Sequence, residues 1–202
     1  QKKVLIALLA INGGMFAVIT NTMLDFATAN IGGGGELKIR ATNVVSFPPS
    51  FTVTNAYRLC LDTDVSAAGN WTIMTNAVLT HSPNFYGGPN QERRISLAIA
   101  GNLTIALGGA IDVSDRGYAG SSGPGAGTGD SVNASHGGRG ASSSTPSATY
   151  GSVRQPTTHG SGNTTGTGAN PGGGSVVLSV TGNTAIDGDI RATSTVGGRR
   201  AA

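Results

Sequence analysis

Charge is scarce in this 202-residue chain: only 11% of residues are Asp, Glu, Lys or Arg, against roughly 25% in ordinary globular domains. Amphipathic helices need charged outer faces, and too few charges are present to build several. Lysine stops at Lys38, and the arginines are scattered apart from Arg93-Arg94 and Arg199-Arg200. The net charge of +3 therefore forms no basic stripe, and aromatics are only 5%. Nucleic-acid binding, which wants a clustered basic face and rings for stacking, is not expected. Cys60 is the sole cysteine, which excludes an internal disulfide and a cysteine-rich zinc site. Long apolar runs are missing too. Val4 to Ile11 is interrupted by Asn12-Gly13-Gly14, well short of the roughly 20 residues a spanning helix needs.

What is present is the material of turns and strands: 33 glycines with many Ser, Thr and Asn. Apolar residues recur at every second position in short runs. Leu37, Ile39 and Ala41 form one; Phe51 and Val53, then Tyr57, Leu59 and Leu61, form others. Ile95, Leu97 and Ile99 lead into Leu103, Ile105 and Leu107, then Ile111 and Val113; Val176, Leu178 and Val180 come last. Period-two alternation predicts strands with one buried face, and the Gly, Pro, Asn and Asp between them predict turns. The segment Leu97-Ala-Ile-Ala-Gly-Asn-Leu-Thr-Ile105 matches Leu178-Ser-Val-Thr-Gly-Asn-Thr-Ala-Ile186, a strand, corner, strand repeat. Stacked repeats predict an all-β right-handed parallel β-helix, or solenoid. An antiparallel β-sandwich is the alternative, because Gly-Asn also closes hairpins.

Three zones follow. Residues 1–31 are apolar, and Lys2-Lys3 before Val4–Ile11 read as a core strand, an assembly strand or a signal-peptide-like segment. Residues 32–202 read as the solenoid domain. Within it, Gly117 to Gly174 contains no Ile, Leu, Met, Phe or Trp and only Asp130, Arg139 and Arg154 as charges. Such a stretch cannot build its own core. Flanked by matching strand units, it is expected to be a long surface insertion.

The series Gly109-Ala-Ile-Asp-Val-Ser114, Gly117-Tyr-Ala-Gly-Ser-Ser-Gly-Pro-Gly-Ala-Gly127, Ser135-His-Gly-Gly-Arg-Gly140, Tyr150-Gly-Ser152 and Gly172-Gly-Gly-Ser-Val-Val-Leu178 resembles a class of large bacterial surface or secreted proteins. These carry β-helix-like units with a glycine-rich insertion. The resemblance covers roughly residues 95–192 and departs at Asp115, where glycine is usual. It implies an extracellular or cell-surface bacterial β-helical module; stacked strands with open ends add the expectation of a structural or assembly role, with self-association through the N-terminal segment or the solenoid ends. It implies no reaction.

Candidate chemistry is thin. Asp112 and Asp115, at the mouth of the insertion, are placed to act as an acid–base pair on polysaccharide or to hold Ca²⁺, although aspartates at such positions commonly cap turns. Asp187 and Asp189 around Gly188 read the same way, and the Ca²⁺-binding nonapeptide is absent. None of the three histidines has metal-ligand spacing, so no metal site or cofactor is expected. His136 with Arg139 is a candidate carboxylate- or sugar-binding pair, or else a pair that ties loop carbonyls. Tyr118 is a candidate sugar-stacking ring, or a packing peg. Cys60, alternating with Leu59 and Leu61, is expected to point outward without a nearby base. The alternative to a structural module is thus a polysaccharide-binding or polysaccharide-cleaving β-helix.

Overall fold

A computed structural model describes residues 2–6, 9–12, 15–18, 22–26, 29–32, 35–39, 44–54, 57–84, 93–127, 133–140, 147–155, 157–165 and 168–194. For residues up to 32, and for 44–46, 164–165 and 168–169, the description extends to strand placement only. Among these residues the chain is all-β, with no helix. The strands come in triplets. The first triplet is β1 (Lys2–Ile6), β2 (Leu9–Asn12) and β3 (Met15–Val18). The second is β4 (Thr22–Phe26), β5 (Ala29–Gly32) and β6 (Glu36–Ile39), and the third β7 (Val44–Ser46), β8 (Ser50–Val53) and β9 (Arg58–Leu61). The fourth is β10 (Asp64–Ala67), β11 (Asn70–Ile73) and β12 (Val78–Thr80), and the fifth β13 (Ile95–Ile99), β14 (Leu103–Ile105) and β15 (Ala110–Asp112). After a separate hairpin, β16 (Asn163–Thr165) and β17 (Gly168–Asn170), comes the sixth: β18 (Val176–Val180), β19 (Thr184–Ile186) and β20 (Asp189–Arg191).

The second strands of the triplets form one sheet, the third strands another, and the first strands two separate three-stranded sheets. The orders are β19-β14-β11-β8-β5-β2, β20-β15-β12-β9-β6-β3, β1-β4-β7 and β10-β13-β18. Among the described residues the pairings in these sheets are parallel, and that of β16 with β17 is antiparallel. The antiparallel sandwich is therefore corrected. Gly-Asn here turns a corner between sheets and does not close a hairpin. The apolar segment 1–31 supplies strands to these same sheets.

Register is held residue by residue. One column runs Ile11, Ile31, Val53, Ile73, Ile105, Ile186. A second runs Phe16, Leu37, Leu59, Leu79, Ile111, Ile190. In the middle triplets these positions are fully buried: Val53, Ile73, Ile105, Leu37, Leu59, Leu79 and Ile111 are all at 0% exposure. A one-residue slip would send each column to the outside, so burial of one face fixes the pairing. A third column sets Phe51 beside Trp71 and Leu103. Trp71 and Phe51 lie 4.7 Å apart, and Phe47 meets both edge-on at 4.9 and 4.7 Å, arrangements that rings favour.

The corners are also bonded. Asn102 N–H donates to the Asn70 side-chain oxygen at 2.8 Å, and Asn183 N–H to that of Asn102 at 2.8 Å. The preceding Gly101 and Gly182 lie so close to the triplet before that a Cβ on either would overlap the backbone beneath it. The matching Gly-Asn segments of the sequence thus stack directly on one another. Their inward faces differ, however. Leu97, Ile99, Leu103 and Ile105 are buried, whereas Ile186 is 47% and Ile190 45% exposed, and Val176, Leu178 and Val180 are only half-buried. Among the described residues, triplet six pairs with strands on one side only.

The described chain divides into two compact units. The first comprises Gln1–His81, Ile95–Asp112 and Val177–Arg191; the second comprises Ser82–Arg94, Val113–Val176 and Ala192–Ala202. The first holds the six triplets. The second gathers the glycine-rich stretch with a shorter insertion after β12, whose existence the alternation did not signal. Paired residues are 20 apart between β8 and β11 (Asn70 and Ser50) but 32 apart between β11 and β14 (Trp71 and Leu103).

Replacing Trp71 with Ala should cost about 3–5 kcal/mol, as an aromatic core truncation does, read as a fall in the denaturation midpoint. Tyr57 is buried, and desolvation first, then the nearby Glu36 and Cys60, raises its phenol far above the usual tyrosine range. A raised native pKa means stability is intact below about pH 10 and falls as pH climbs beyond it, because only the unfolded phenol ionises there. In an alkaline titration at 295 nm one of the four tyrosines should ionise only together with unfolding, and Tyr57→Phe should remove that step.

Candidate functional site

The second unit is built with little apolar side chain. Its framework is backbone. Gly117 N–H donates to Gly172 O at 2.8 Å, Gly172 N–H to Tyr118 O at 3.0 Å, Tyr118 N–H to Gly160 O at 3.1 Å and Gly160 N–H to Gly173 O at 2.9 Å. Three stretches of chain thus bond to one another outside any named strand. A Cβ at Gly172 would overlap the Gly160 carbonyl, so glycine is required by closeness of approach. Buried backbone groups that lack a sheet must find partners somewhere, and here they find each other.

A polar cluster sits within this framework. The buried Ser161 hydroxyl accepts the Gly125 N–H at 3.0 Å and donates to the Tyr150 hydroxyl at 2.9 Å. Tyr150 in turn donates to the His159 carbonyl. His136 Nε2 bonds the Thr158 hydroxyl at 2.8 Å, and its ring meets Tyr150 edge-on at 4.8 Å. Its backbone carbonyl accepts the Tyr150 N–H at 3.1 Å. Tyr118, 9% exposed, presents its ring to that of the fully buried His159 at 6.1 Å. Ser135 is a second hub: its hydroxyl donates to Ser147 O at 3.1 Å and accepts Gly140 N–H at 3.0 Å.

The sequence candidates fall as follows. Tyr118 is buried as a packing ring. His136 is half-buried and directed to Thr158, while Arg139 is exposed. Asp112 belongs to the first unit, where it stands opposite Arg191 in register, with the carboxylate 3.9 Å from the guanidinium; Arg191 also pairs with Asp189. Asp115 belongs to the second unit and has φ +56°. Its N–H donates to Thr193 O at 2.9 Å. Left-handed backbone favours glycine and tolerates Asp or Asn, which accounts for an aspartate at a position where glycine is the expected residue. Among the described residues no group of three or more His, Cys, Asp or Glu is arranged to hold a metal ion.

Cys60 is a correction. It is 2% exposed, not turned to solvent, with Sγ 3.8 Å from Asp62 Oδ1. The outer face of β9 is covered at this end: Asp62, Thr80 (the register partner of Cys60) and His81 are buried as well. Alternation says which side of a strand a residue takes, and not whether that side meets water.

Asn84 went unnoticed in the sequence. It is 1% exposed and closes the base of the shorter insertion. Its amide nitrogen donates to Arg93 O at 2.8 Å and Arg116 O at 3.1 Å, and its amide oxygen accepts Arg93 N–H at 2.7 Å. Nothing in Ser82-Pro83-Asn84 separates it from an ordinary turn asparagine.

No helix in the described residues is long and apolar enough to cross a membrane, a statement that leaves β-barrels untouched. Compared with known proteins, the chain matches no family model, no curated protein and no solved structure.

Asn84→Ala should destabilise by about 2–4 kcal/mol, since it removes several bonds and strands buried partners. Tyr150→Phe should cost less, about 1–2 kcal/mol, and hydrogen exchange should speed up at Gly125 and Ser161 while the triplets keep their protection.

Proposed function

We propose that the chain is a structural module of a bacterial extracellular surface protein, with triplets that are the successive coils of a right-handed parallel β-helix. Right-handedness follows from the strong general preference of parallel crossovers. One observation carries the structural reading: several of the polar groups that might have done chemistry are engaged by the chain itself. His136 is engaged by Thr158, Tyr150 by the His159 carbonyl, and Asp112 faces Arg191. A general acid–base pair needs carboxylates free to exchange protons with a bound sugar. The extracellular setting is supported by the glycine-rich motif series and by solubility drawn from neutral Ser, Thr and Asn.

The test is a screen of the purified 202-residue chain against acidic and neutral polysaccharides. It follows new reducing ends, absorbance of unsaturated products at 235 nm, and retention in affinity electrophoresis. No cleavage and no retention are expected. Cleavage abolished in Asp112→Asn or Asp115→Asn would replace the structural reading with that of a polysaccharide-active β-helix.

A further inference from the structure

Charge is shared unevenly between the two units. The second holds seven arginines, no lysine and three acids, whereas the first holds six bases and seven acids. The positive charge of the protein therefore comes from the glycine-rich unit. Charge asymmetry of this kind marks a surface for a partner of opposite sign. Within that unit no Asp or Glu occurs from residue 131 to residue 176, while Arg139 and Arg154 both fall inside this stretch. Both are exposed, and neither has an ion-pair partner among the described residues.

The two arginines are carried by loops that touch. A Cβ at Gly137 would lie 2.9 Å from a Val153 methyl group, so the loop bearing Arg139 packs on the loop bearing Arg154. Each loop is pinned by a serine. The Ser135 hydroxyl accepts the Gly140 N–H at 3.0 Å, and the Ser152 hydroxyl accepts the N–H groups of Arg154 and Gln155 at 3.2 and 3.1 Å. Gly138, next to Arg139, has open space where a side chain would stand, and Gly151, before Ser152, has φ +72°. Guanidinium forks match phosphate oxygens, and glycine-rich backbone lets a phosphate come up to main-chain N–H groups. We propose that this face of the second unit binds an anionic polymer with a phosphate in each repeat. Nucleic acid is the less suited phosphate polymer, because base recognition uses free rings, whereas Tyr118 is 9% exposed and Tyr150 is bonded inward to the His159 carbonyl. This goes beyond the structural reading above, which stands whether or not the polymer binds.

The experiment measures binding of the 202-residue chain to immobilised long-chain inorganic polyphosphate, with polygalacturonate, single-stranded DNA and phosphatidylglycerol vesicles as separate arms. Wild type is expected to bind polyphosphate and to lose at least about tenfold in affinity between about 50 and 500 mM salt, as screened ion pairs do. Arg139→Ser/Arg154→Ser alters two exposed side chains, so its circular dichroism and melting should match wild type. Loss of two exposed ion pairs should weaken its binding by roughly fivefold to tenfold. Arg139→Glu/Arg154→Glu should weaken binding further, and polygalacturonate should bind more weakly than polyphosphate. No binding of polyphosphate at low salt, or unchanged binding by the folded double-serine variant, would overturn the proposal. So would tighter binding of the carboxylate polymer or of DNA, or binding confined to vesicles. None of these results touches the structural reading, which polysaccharide cleavage decides.

Discussion

Everything in the first unit depends on one constraint: a strand must find its hydrogen-bonding partner one triplet away, in parallel, without slipping by a residue. Parallel ladders have no tight turn to set their register. The setting comes from the interior of the middle triplets, where two register columns keep Val53, Ile73 and Ile105, and Leu37, Leu59, Leu79 and Ile111, out of water. Corners reinforce it. The Asn70–Asn102–Asn183 ladder ties side chain to backbone where the sheet bonds would otherwise lapse. Phe47, Phe51 and Trp71 pack together in the interior with ring centroids 4.7–4.9 Å apart.

The second unit meets the same requirement by other means. It has few apolar side chains, so it relies on close backbone approach, with glycines at the points of contact and hydroxyls from Ser135, Tyr150 and Ser161 at the junctions. Such a scaffold is tolerant at its exposed serines and threonines and intolerant at Gly172, where any side chain meets the Gly160 carbonyl. The low-complexity appearance of the sequence and the density of its hydrogen bonding have a common origin in the missing Cβ atoms.

Much of the wall was legible in advance. The alternation of Leu37, Ile39, Leu59, Leu61, Leu103 and Ile105 reports a buried face because a strand has only two sides. The Gly-Asn repeat was legible because a corner stacked upon a corner needs the same backbone shape twice. Other features lacked a local signal. Burial of Cys60 and exposure of Ile186 and Ile190 depend on partners far along the chain, which alternation does not report. Asn84 acts through Arg93 and Arg116, the latter 32 residues away along the chain, a partnership no spacing rule describes. The five candidate site residues are not gathered together: Asp112 lies in the first unit and the other four in the second. The roles of Tyr118, His136 and Asp115 came from packing, from Thr158 and from a left-handed backbone angle.

One feature of the triplets carries an architectural consequence. The segment leading from the third strand of a triplet to the first strand of the next is not uniform: it comprises residues 62–63 after β9, 81–94 after β12 and 113–175 after β15. Across this span β9, β12, β15 and β20 remain in unbroken register. The length of that corner thus changes from one triplet to the next without disturbing the register of the strands it joins.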